Sequence, residues 1–297
     1  MSNPTRSGRV RGAVLMVMVG AAALSGCGDP EQGAAAPAAS ELSSSQQAPP
    51  GTPVTLTART PDGTRPTPET MHATQQIIQW RAEGMQLTGT SVEITDNAVV
   101  ITVPGDDGAK ARTLGQTGRL NMRPVLFAAP PMGSGPVVTD AMAAKISRQS
   151  VDPATQQQAL TELNCGTTDP LRSNDDPLLP LVTCSTDGTE VMVLGPAILD
   201  NDAVDGAESQ FIPQNAGHVV EVTFTADGRD AFSSYTAENV GNRFAFVVDT
   251  RVVSAPQMME AIKGGSTQIA GNFTADSADE LANSLRFGAL PVTFAER

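Results

Sequence analysis

Long apolar runs are missing from this chain of 297 residues. A helix that spans a membrane needs about 20 consecutive apolar residues. The one candidate, residues 13–24, is too short. The sequence therefore predicts no membrane-spanning helix.

Histidine and the familiar catalytic motifs are also scarce. His72 and His218 are the two histidines, and there is no Cys-x-x-Cys pair, so no metal site is predicted. The chain contains no G-x-S-x-G, S-x-x-K, H-E-x-x-H or P-loop sequence. We therefore predict that the protein is not an enzyme and that it has no catalytic residue and no cofactor.

Carboxylate clusters occur, but none of them matches a known site. A valine, Val204, stands where the calcium-binding EF-hand loop needs a carboxylate or an amide. This argues against a calcium site at the three neighbouring aspartates, Asp200, Asp202 and Asp205. The pair Asp175-Asp176 lies in turn-like sequence and is interpreted as solvated loop.

Basic residues are outnumbered, with 19 Lys and Arg against 32 Asp and Glu, a net charge of −13. Nucleic-acid phosphates require a basic surface, and so does docking on an anionic membrane. The composition therefore excludes nucleic acid as a partner. Any attachment to a membrane has to come from another source.

The N-terminal residues suggest that source. Arg6, Arg9 and Arg11 precede the apolar stretch 13–24. The last residue of this stretch begins the sequence Leu-Ser-Gly-Cys, which ends at Cys27. This arrangement resembles a bacterial lipoprotein signal, so residues 1–26 are predicted to be a signal peptide and Cys27 to carry the lipid. The predicted location is the outer face of the cell membrane. The alternative is an ordinary secretory signal with an incidental cysteine.

The cysteine count agrees with lipidation, since it leaves one pair. With Cys27 acylated, Cys165 and Cys184 remain, and disulfides persist in exported proteins. A disulfide between these two is predicted. The alternative is two reduced, buried thiols.

Residues 52–128 show strand and helix patterns in the order β-α-β-β-α-β. Thr67-Pro68 predicts the start of the first helix, in which Trp80 is interpreted as a packing residue rather than a ligand platform. Residues 120–126 are predicted to be the last strand. This order is typical of the ferredoxin-like fold.

The last eighty residues carry a family resemblance. Four segments resemble, in order and spacing, the end of the first large extracytoplasmic domain of SecD, a membrane protein that assists protein export. They are VTFTADGRDAF (222–232), FAFVVDTRVVSAP (244–256), GGSTQIAGNFT (264–274) and LANSLRFGALP (281–291). The resemblance is looser over 71–126, and the two-cysteine loop is similar to that of actinobacterial members.

The resemblance implies an α+β fold with a ferredoxin-like base subdomain and an inserted α+β head subdomain. Residues 27–51, rich in Ala, Pro, Ser and Gln, are predicted to be a disordered tether. The predicted division of the rest is base 52–128, connecting loop and helix 129–164, head 165–271, and a C-terminal helix and strand, 272–297, that return to the base. Ser277 and Glu280 are predicted to cap that last helix.

The resemblance also implies a function. We expect a lipoprotein that binds exported polypeptides or the Sec translocase and assists protein export without a proton-driven motor of its own. Such binding requires an exposed apolar surface or a free strand edge on the head, and the sequence does not locate it. The alternative is an envelope scaffold or assembly lipoprotein that reuses the same fold.

Overall fold

A computed structural model of the chain describes residues 50–133, 135, 137–213 and 217–295. The predicted signal peptide, Cys27 and nearly all of the predicted tether lie outside these residues. Among the helices it describes, none combines the length and the apolar run that crossing a membrane requires.

Six α-helices and thirteen β-strands occur in the described ranges. The helices are α1 (Pro68–Gly84), α2 (Ala109–Leu114), α3 (Ala141–Arg148), α4 (Pro153–Glu162), α5 (Ala226–Glu238) and α6 (Ala275–Arg286). The strands are β1 (Val54–Arg59), β2 (Ser91–Thr95), β3 (Ala98–Thr102), β4 (Leu120–Ala129), β5 (Leu181–Cys184), β6 (Val191–Leu194), β7 (Leu199–Asp200), β8 (Val204–Ile212), β9 (Gly217–Phe224), β10 (Phe244–Val248), β11 (Arg251–Ser254), β12 (Ser266–Phe273) and β13 (Thr293–Ala295). These strands form three antiparallel sheets, and the predicted α+β class is confirmed.

The first sheet has the strand order β13-β1-β3-β2 and packs against α1. Helix α1 begins as the sequence predicts, because the Thr67 hydroxyl accepts an N–H of the first turn (3.2 Å). Pro68 fits the first helical position, where its missing N–H leaves no helical bond unmade. Ile78 of α1 is fully buried and shares a core with Val99 and Ile101 of β3.

The fourth strand of this sheet is β13, not the strand at 120–126 that the sequence predicts. Strand β4 instead lies between β10 and β6 in a second sheet. Leu120 and Met122 are fully buried there and share a core with Phe244 and Phe246 of β10. Strand pairing depends on contacts far apart in the chain, so the local pattern identifies the strand but not its sheet. With β13 in place, the first sheet keeps the ferredoxin-like arrangement.

The second sheet has the order β11-β10-β4-β6-β5, with β7 beside β4. Two helices pack on it, α4 and the unpredicted α3, so the segment 129–164 is more than a connection. Ala144 of α3 shares one core with Leu181 of β5, and Leu160 of α4 shares another with Val182.

The third sheet has the order β12-β9-β8 and is covered by α6. Ala278, Ala282 and Leu285 form the buried stripe of α6 and pack with Val220 and Val222 of β9. Of the C-terminal segment, β13 pairs with β1 of the first sheet. Helix α6 also reaches α1, because the Asn283 amide donates to the Arg81 carbonyl (2.7 Å). The apolar stripe of α6 matches the inner face of the third sheet.

Arg81 of α1 binds the two segments that connect the first sheet with the others. We call these segments, residues 114–119 and 287–292, the junction. The guanidinium is almost fully buried, and burial lowers its pKa to about 10, an effect that Asp249 opposes. It donates hydrogen bonds to four backbone carbonyls, those of Leu114 (3.3 Å), Gln116, Thr117 (3.1 Å) and Gly288 (2.6 Å).

Candidate functional site

Exposed apolar side chains are concentrated in one stretch, residues 126–151. Thirteen large apolar side chains are exposed in the part of the chain that the structure describes, and eight of them belong to this stretch. They are Leu126, Phe127, Met132, Val137, Val138, Met142, Ile146 and Val151. Because clustered apolar exposure marks interaction sites, this stretch is the leading candidate for a binding surface.

Helix α3 carries two of these side chains on its outer face. Asp140 caps the helix by accepting a first-turn N–H (2.7 Å). Ala144 and Arg148 face inward and are buried. Met142 and Ile146, one helical turn apart, are 64% and 68% exposed. The helix therefore presents an apolar ridge to solvent.

A cavity of about 160 Å³ opens beside this helix, between α3, α4 and residues 163–170. Val137 and Val138 line it together with Ala144 of α3, so these two exposed valines lie next to the helix. We call Val137, Val138, Met142 and Ile146 the apolar surface. Concave, largely apolar sites of this kind are where proteins take up small groups.

A disulfide forms part of the cavity. Cys165 follows α4 and Cys184 ends β5, and their sulfurs are bonded, with 5.6 Å between the Cα atoms. Cys184 lines the cavity directly. The bond attaches residues 163–180, which we call the clasped loop, to the second sheet.

A buried ion pair fixes α3 against the same loop. The Arg148 guanidinium donates to both carboxylate oxygens of Asp169, one of them at 3.0 Å, and to the Val182 carbonyl at 2.7 Å. The side chains of the pair are 5% and 9% exposed. Charge-assisted, two-pronged contacts of this type fix orientation. The inner face of α3 is thus held to the loop and to β5, while its outer face stays free.

Comparison with known proteins identifies the domain. Residues 179–292 match the family model described as SecDF, P1 head subdomain. The protein translocase subunit SecD of Mycobacterium tuberculosis is 36% identical over an alignment that covers 82% of this chain. The chain carries a SecD periplasmic domain. The resemblance that its last eighty residues predict is confirmed.

The SecD relatives are longer than this chain. The alignment spans about half of the mycobacterial protein, 56% of its length. The protein translocase subunit SecD of Streptomyces coelicolor is 42% identical over 35% of this chain and 19% of its own length. These relatives are translocase subunits rather than known enzymes.

Two solved structures share the fold of the SecD domain. A crystal structure of SecDF in a super-membrane-facing form is 25% identical, with a TM-score of 0.54 over 83% of this chain and 30% of that one. A structure of SecDF, a membrane component that enhances protein export, is 24% identical with a TM-score of 0.50. The second match covers 83% of this chain and 99% of the other, and at this identity it shows the fold alone.

A second buried ion pair shapes the clasped loop of the SecD domain. Arg123 of β4 is fully buried and donates to Asp175 (2.8 Å) and to the carbonyls of Leu179 (2.7 Å) and Gly195 (3.0 Å). Burial lowers the pKa of the Arg123 guanidinium, and Asp175 opposes that shift. The Thr250 hydroxyl also donates to Asp175, at 3.2 Å. The clasped loop is therefore held to β4 of the second sheet by a buried ion pair.

Two residues differ from their sequence interpretation. Asp175 is not a solvated loop residue but is 2% exposed, because the buried guanidinium of Arg123 neutralises it. Trp80 packs only partly, with 42% of its surface exposed. The buried face of α1 is set by Ile78 and Arg81, and Trp80 points away from it.

The remaining sequence candidates are dispersed. Cys27 lies outside the described residues. His72 is exposed on α1, whereas the ring of His218 of β9 lies tilted against that of Phe211, with 4.9 Å between ring centroids. Asp200 accepts the N–H of Asp202 (3.0 Å) and caps a short 3-10 turn. Within the ranges described, no group of three or more His, Cys, Asp or Glu could hold a metal ion.

The residues of the apolar surface were missed by the sequence interpretation, although a signal was present. Asp140 precedes the run Ala-Met-Ala-Ala-Lys, which combines an N-cap with good helix formers. Those features predict a helix. They do not reveal that Met142 and Ile146 face outward, because an apolar ridge at helical spacing normally faces a core.

Proposed function

We propose that this protein assists protein export by binding unfolded, extended polypeptides on the apolar surface of its SecD domain, outside the cell membrane. The concentration of exposed apolar side chains around α3 is the observation that carries the proposal. The relatives named as protein translocase subunits support the same process. The Sec translocase is the expected partner assembly.

Apolar contacts suit this task because they are not directional and do not depend on a particular amino-acid sequence in the bound chain. A folded protein hides its apolar side chains, whereas a chain in transit exposes them. Each large apolar side chain that becomes buried contributes about 1.5–3 kcal/mol. Binding on the outer side opposes backward sliding, so this proposal assigns the chain no proton-driven step of its own.

The proposal includes a lipid anchor at Cys27, supported by the signal-like sequence that precedes it. Because the domain is acidic, attachment to an anionic membrane needs such an anchor. We expect Cys27→Ala to lose labelling by a clickable fatty acid and to move from the membrane fraction to the soluble fraction. An unlabelled wild type, or a Cys27→Ala variant that stays with the membrane, would exclude the anchor.

Binding is tested with two matched methionines. Met142 is 64% exposed on the apolar surface, and Met259 is 79% exposed elsewhere. We expect Met142→Asp to weaken binding of a carboxamidomethylated, permanently unfolded polypeptide with an amidated C-terminus by roughly tenfold or more, because an apolar contact is replaced by a charge that must lose water. Met259→Asp should bind like wild type. Fluorescence anisotropy measures both affinities, and equal effects of the two substitutions would contradict the proposal.

The role in export is tested separately in cells. A photocrosslinker at Ile146 should capture a stalled, secreted precursor, whereas one at the exposed Val240 should not. Crosslinks from Ile146 to another envelope protein, with normal secretion in a deletion strain, would instead support the assembly role.

A further inference from the structure

Part of the wall of the cavity beside α3 is charged. The binding of apolar chains proposed above does not involve these charged residues. Arg251 of β11 lines it, and its guanidinium makes one hydrogen bond, to the Cys165 carbonyl (3.0 Å). A guanidinium has five N–H donors. In the described part of the chain no carboxylate lies within ion-pair distance of Arg251, so most of its donors remain free for a ligand.

The surroundings of Arg251 leave its positive charge incompletely balanced. Burial lowers the pKa of its guanidinium; Asp169 opposes this shift, while Arg148 and Arg172 add to it. The carboxylate of Asp169 is already bound by both prongs of Arg148. Of the two arginines that line the cavity, Arg148 is thus paired with a buried carboxylate and Arg251 is not. A partly desolvated cation of this kind favours an anionic partner.

We propose that this cavity binds a carboxylate that carries a compact apolar group. The carboxylate pairs with Arg251, and the apolar group lies against Val137, Val138 and Leu163, which line the same cavity. The volume of about 160 Å³ agrees, since a cavity of about 150 Å³ holds a benzene-sized group. The C-terminal residue of a polypeptide and a free short carboxylic acid both have this chemistry.

One further acid bears on the placement of the ligand. Glu162 also lines the cavity, at the end of α4, where it is exposed and accepts a hydrogen bond from Gln158 (2.9 Å). Its repulsion keeps a bound carboxylate on the side of Arg251. Glu162→Gln should therefore strengthen binding slightly, in contrast to the loss expected at Arg251.

The test titrates the full-length chain with two carboxylates and their amides by isothermal calorimetry. N-acetyl-leucine represents a polypeptide C-terminus and 4-methylpentanoate a free acid; N-acetyl-leucinamide and 4-methylpentanamide are the neutral controls. We expect the acids to bind roughly tenfold or more tightly than the amides, the effect of a hydrogen-bonded charge. Tighter binding of N-acetyl-leucine than of 4-methylpentanoate assigns the polypeptide source, and the reverse order assigns the free acid.

Three variants complete the test. Arg251→Gln should remove the preference for acids over amides, because glutamine keeps a polar side chain at this position but carries no charge. Ser147→Leu, which narrows the cavity from α3, should weaken all four ligands. Arg229→Gln, at an exposed arginine of α5, should change nothing. Melting curves confirm that each variant is folded.

The proposal is overturned if neither acid binds up to its solubility limit, if acids and amides bind alike, or if Arg251→Gln keeps the preference. These outcomes are separate from a failure of polypeptide capture. Capture is measured with a chain whose C-terminus is amidated, and it depends on Met142 rather than on Arg251.

Discussion

The clasped loop and the junction are both irregular segments, but different chemistry holds them in place. The loop is fixed by one disulfide, Cys165–Cys184, and by two buried ion pairs, Arg148–Asp169 and Arg123–Asp175. The backbone of the junction is bound by side-chain hydrogen bonds, from Arg81, which contacts only carbonyls, and from Asp249 and Asn201, which bond Gly118. Loops longer than about 12–15 residues without regular structure are uncommon and are often functional. Three side-chain bonds hold the clasped loop in one conformation, which indicates that this conformation is needed for function.

Two of the buried arginines, Arg123 in the clasped loop's ion pair and Arg81 at the junction, show what this difference means. Removing Arg123 leaves the carboxylate of Asp175 buried without its partner. Removing Arg81 leaves neutral carbonyls, and those of Gln116 and Gly288 are only partly buried. The same substitution should therefore have unequal consequences at the two positions.

The largest effect is expected from Arg123→Met. An uncompensated buried charge destabilises a protein by about 3–5 kcal/mol. We expect a loss of that order in the free energy of unfolding, measured by urea denaturation at neutral pH. Because protonation of Asp175 neutralises the abandoned charge, part of the loss should be recovered as the pH is lowered.

A double variant provides the control for this prediction. Arg123→Met combined with Asp175→Leu removes both charges and should be more stable at neutral pH than Arg123→Met alone. A double variant that is as unstable as the single one would show that the carbonyl contacts of Arg123, rather than its pairing with Asp175, hold the loop.

The disulfide is expected to rank next. Replacing Cys165 and Cys184 together by serine releases a covalent loop with a sequence separation of 19. In the chain-entropy model a loop of this size contributes about 3 kcal/mol. The double variant should lose stability of that order, and dithiothreitol should destabilise the wild type but not the variant. Equal sensitivity of both proteins to the reductant would contradict the assignment.

Local patterns predict much of the fold, because they depend on neighbours in the chain. Thr67-Pro68 marks the start of α1, and the wholly apolar run 244–248 is the buried strand β10. The order β-α-β-β-α-β correctly suggests a ferredoxin-like base. Its last strand is misassigned because the choice between β4 and β13 is made by distant partners.

The candidate site is less predictable than the fold. An exposed apolar residue such as Ile146 has the same sequence signature as a core residue, and only the packing of α3 separates the two. Asp175 looks like a turn residue until Arg123, 52 positions earlier, is seen to bind it. Burial of charge is a property of the assembled fold, which a local pattern does not contain.

Arg81→Met should have a smaller effect than Arg123→Met. Carbonyls that lose a partner inside a protein cost about 1–3 kcal/mol, and water can reach some of those at the junction. We expect a loss within that range, almost unchanged between neutral and mildly acidic pH, because Asp249, the acid that interacts with Arg81, keeps its hydrogen bonds from the N–H groups of Gly118 and Arg119. A loss as large as that of Arg123→Met, or one relieved by acid, would remove the distinction between the two regions.

The smallest effect is expected at Glu280 of α6, a carboxylate in the opposite situation to Asp175. It does not cap the helix as predicted, because Thr274 and Ser277 form the capping box. Its pKa is raised from 4.5 by partial burial and by the like charge of Asp276, and Lys110 opposes the shift. A carboxyl group with a raised pKa favours the folded state while protonated, and this contribution is lost as the pH rises through the raised value.

At neutral pH, Glu280→Gln should therefore stabilise the protein slightly. Relief of a like-charge pair four residues apart on a helix is worth about 0.2–0.5 kcal/mol. The gain should vanish near about pH 3, where the wild-type group is protonated as well. Glu260→Gln, at an exposed glutamate, is the matched control and should leave the free energy of unfolding at neutral pH unchanged. A destabilised Glu280→Gln at neutral pH would mean that the ionised carboxylate contributes to the packing of α6, and that a half-buried charge without an arginine partner can still be favourable in this fold.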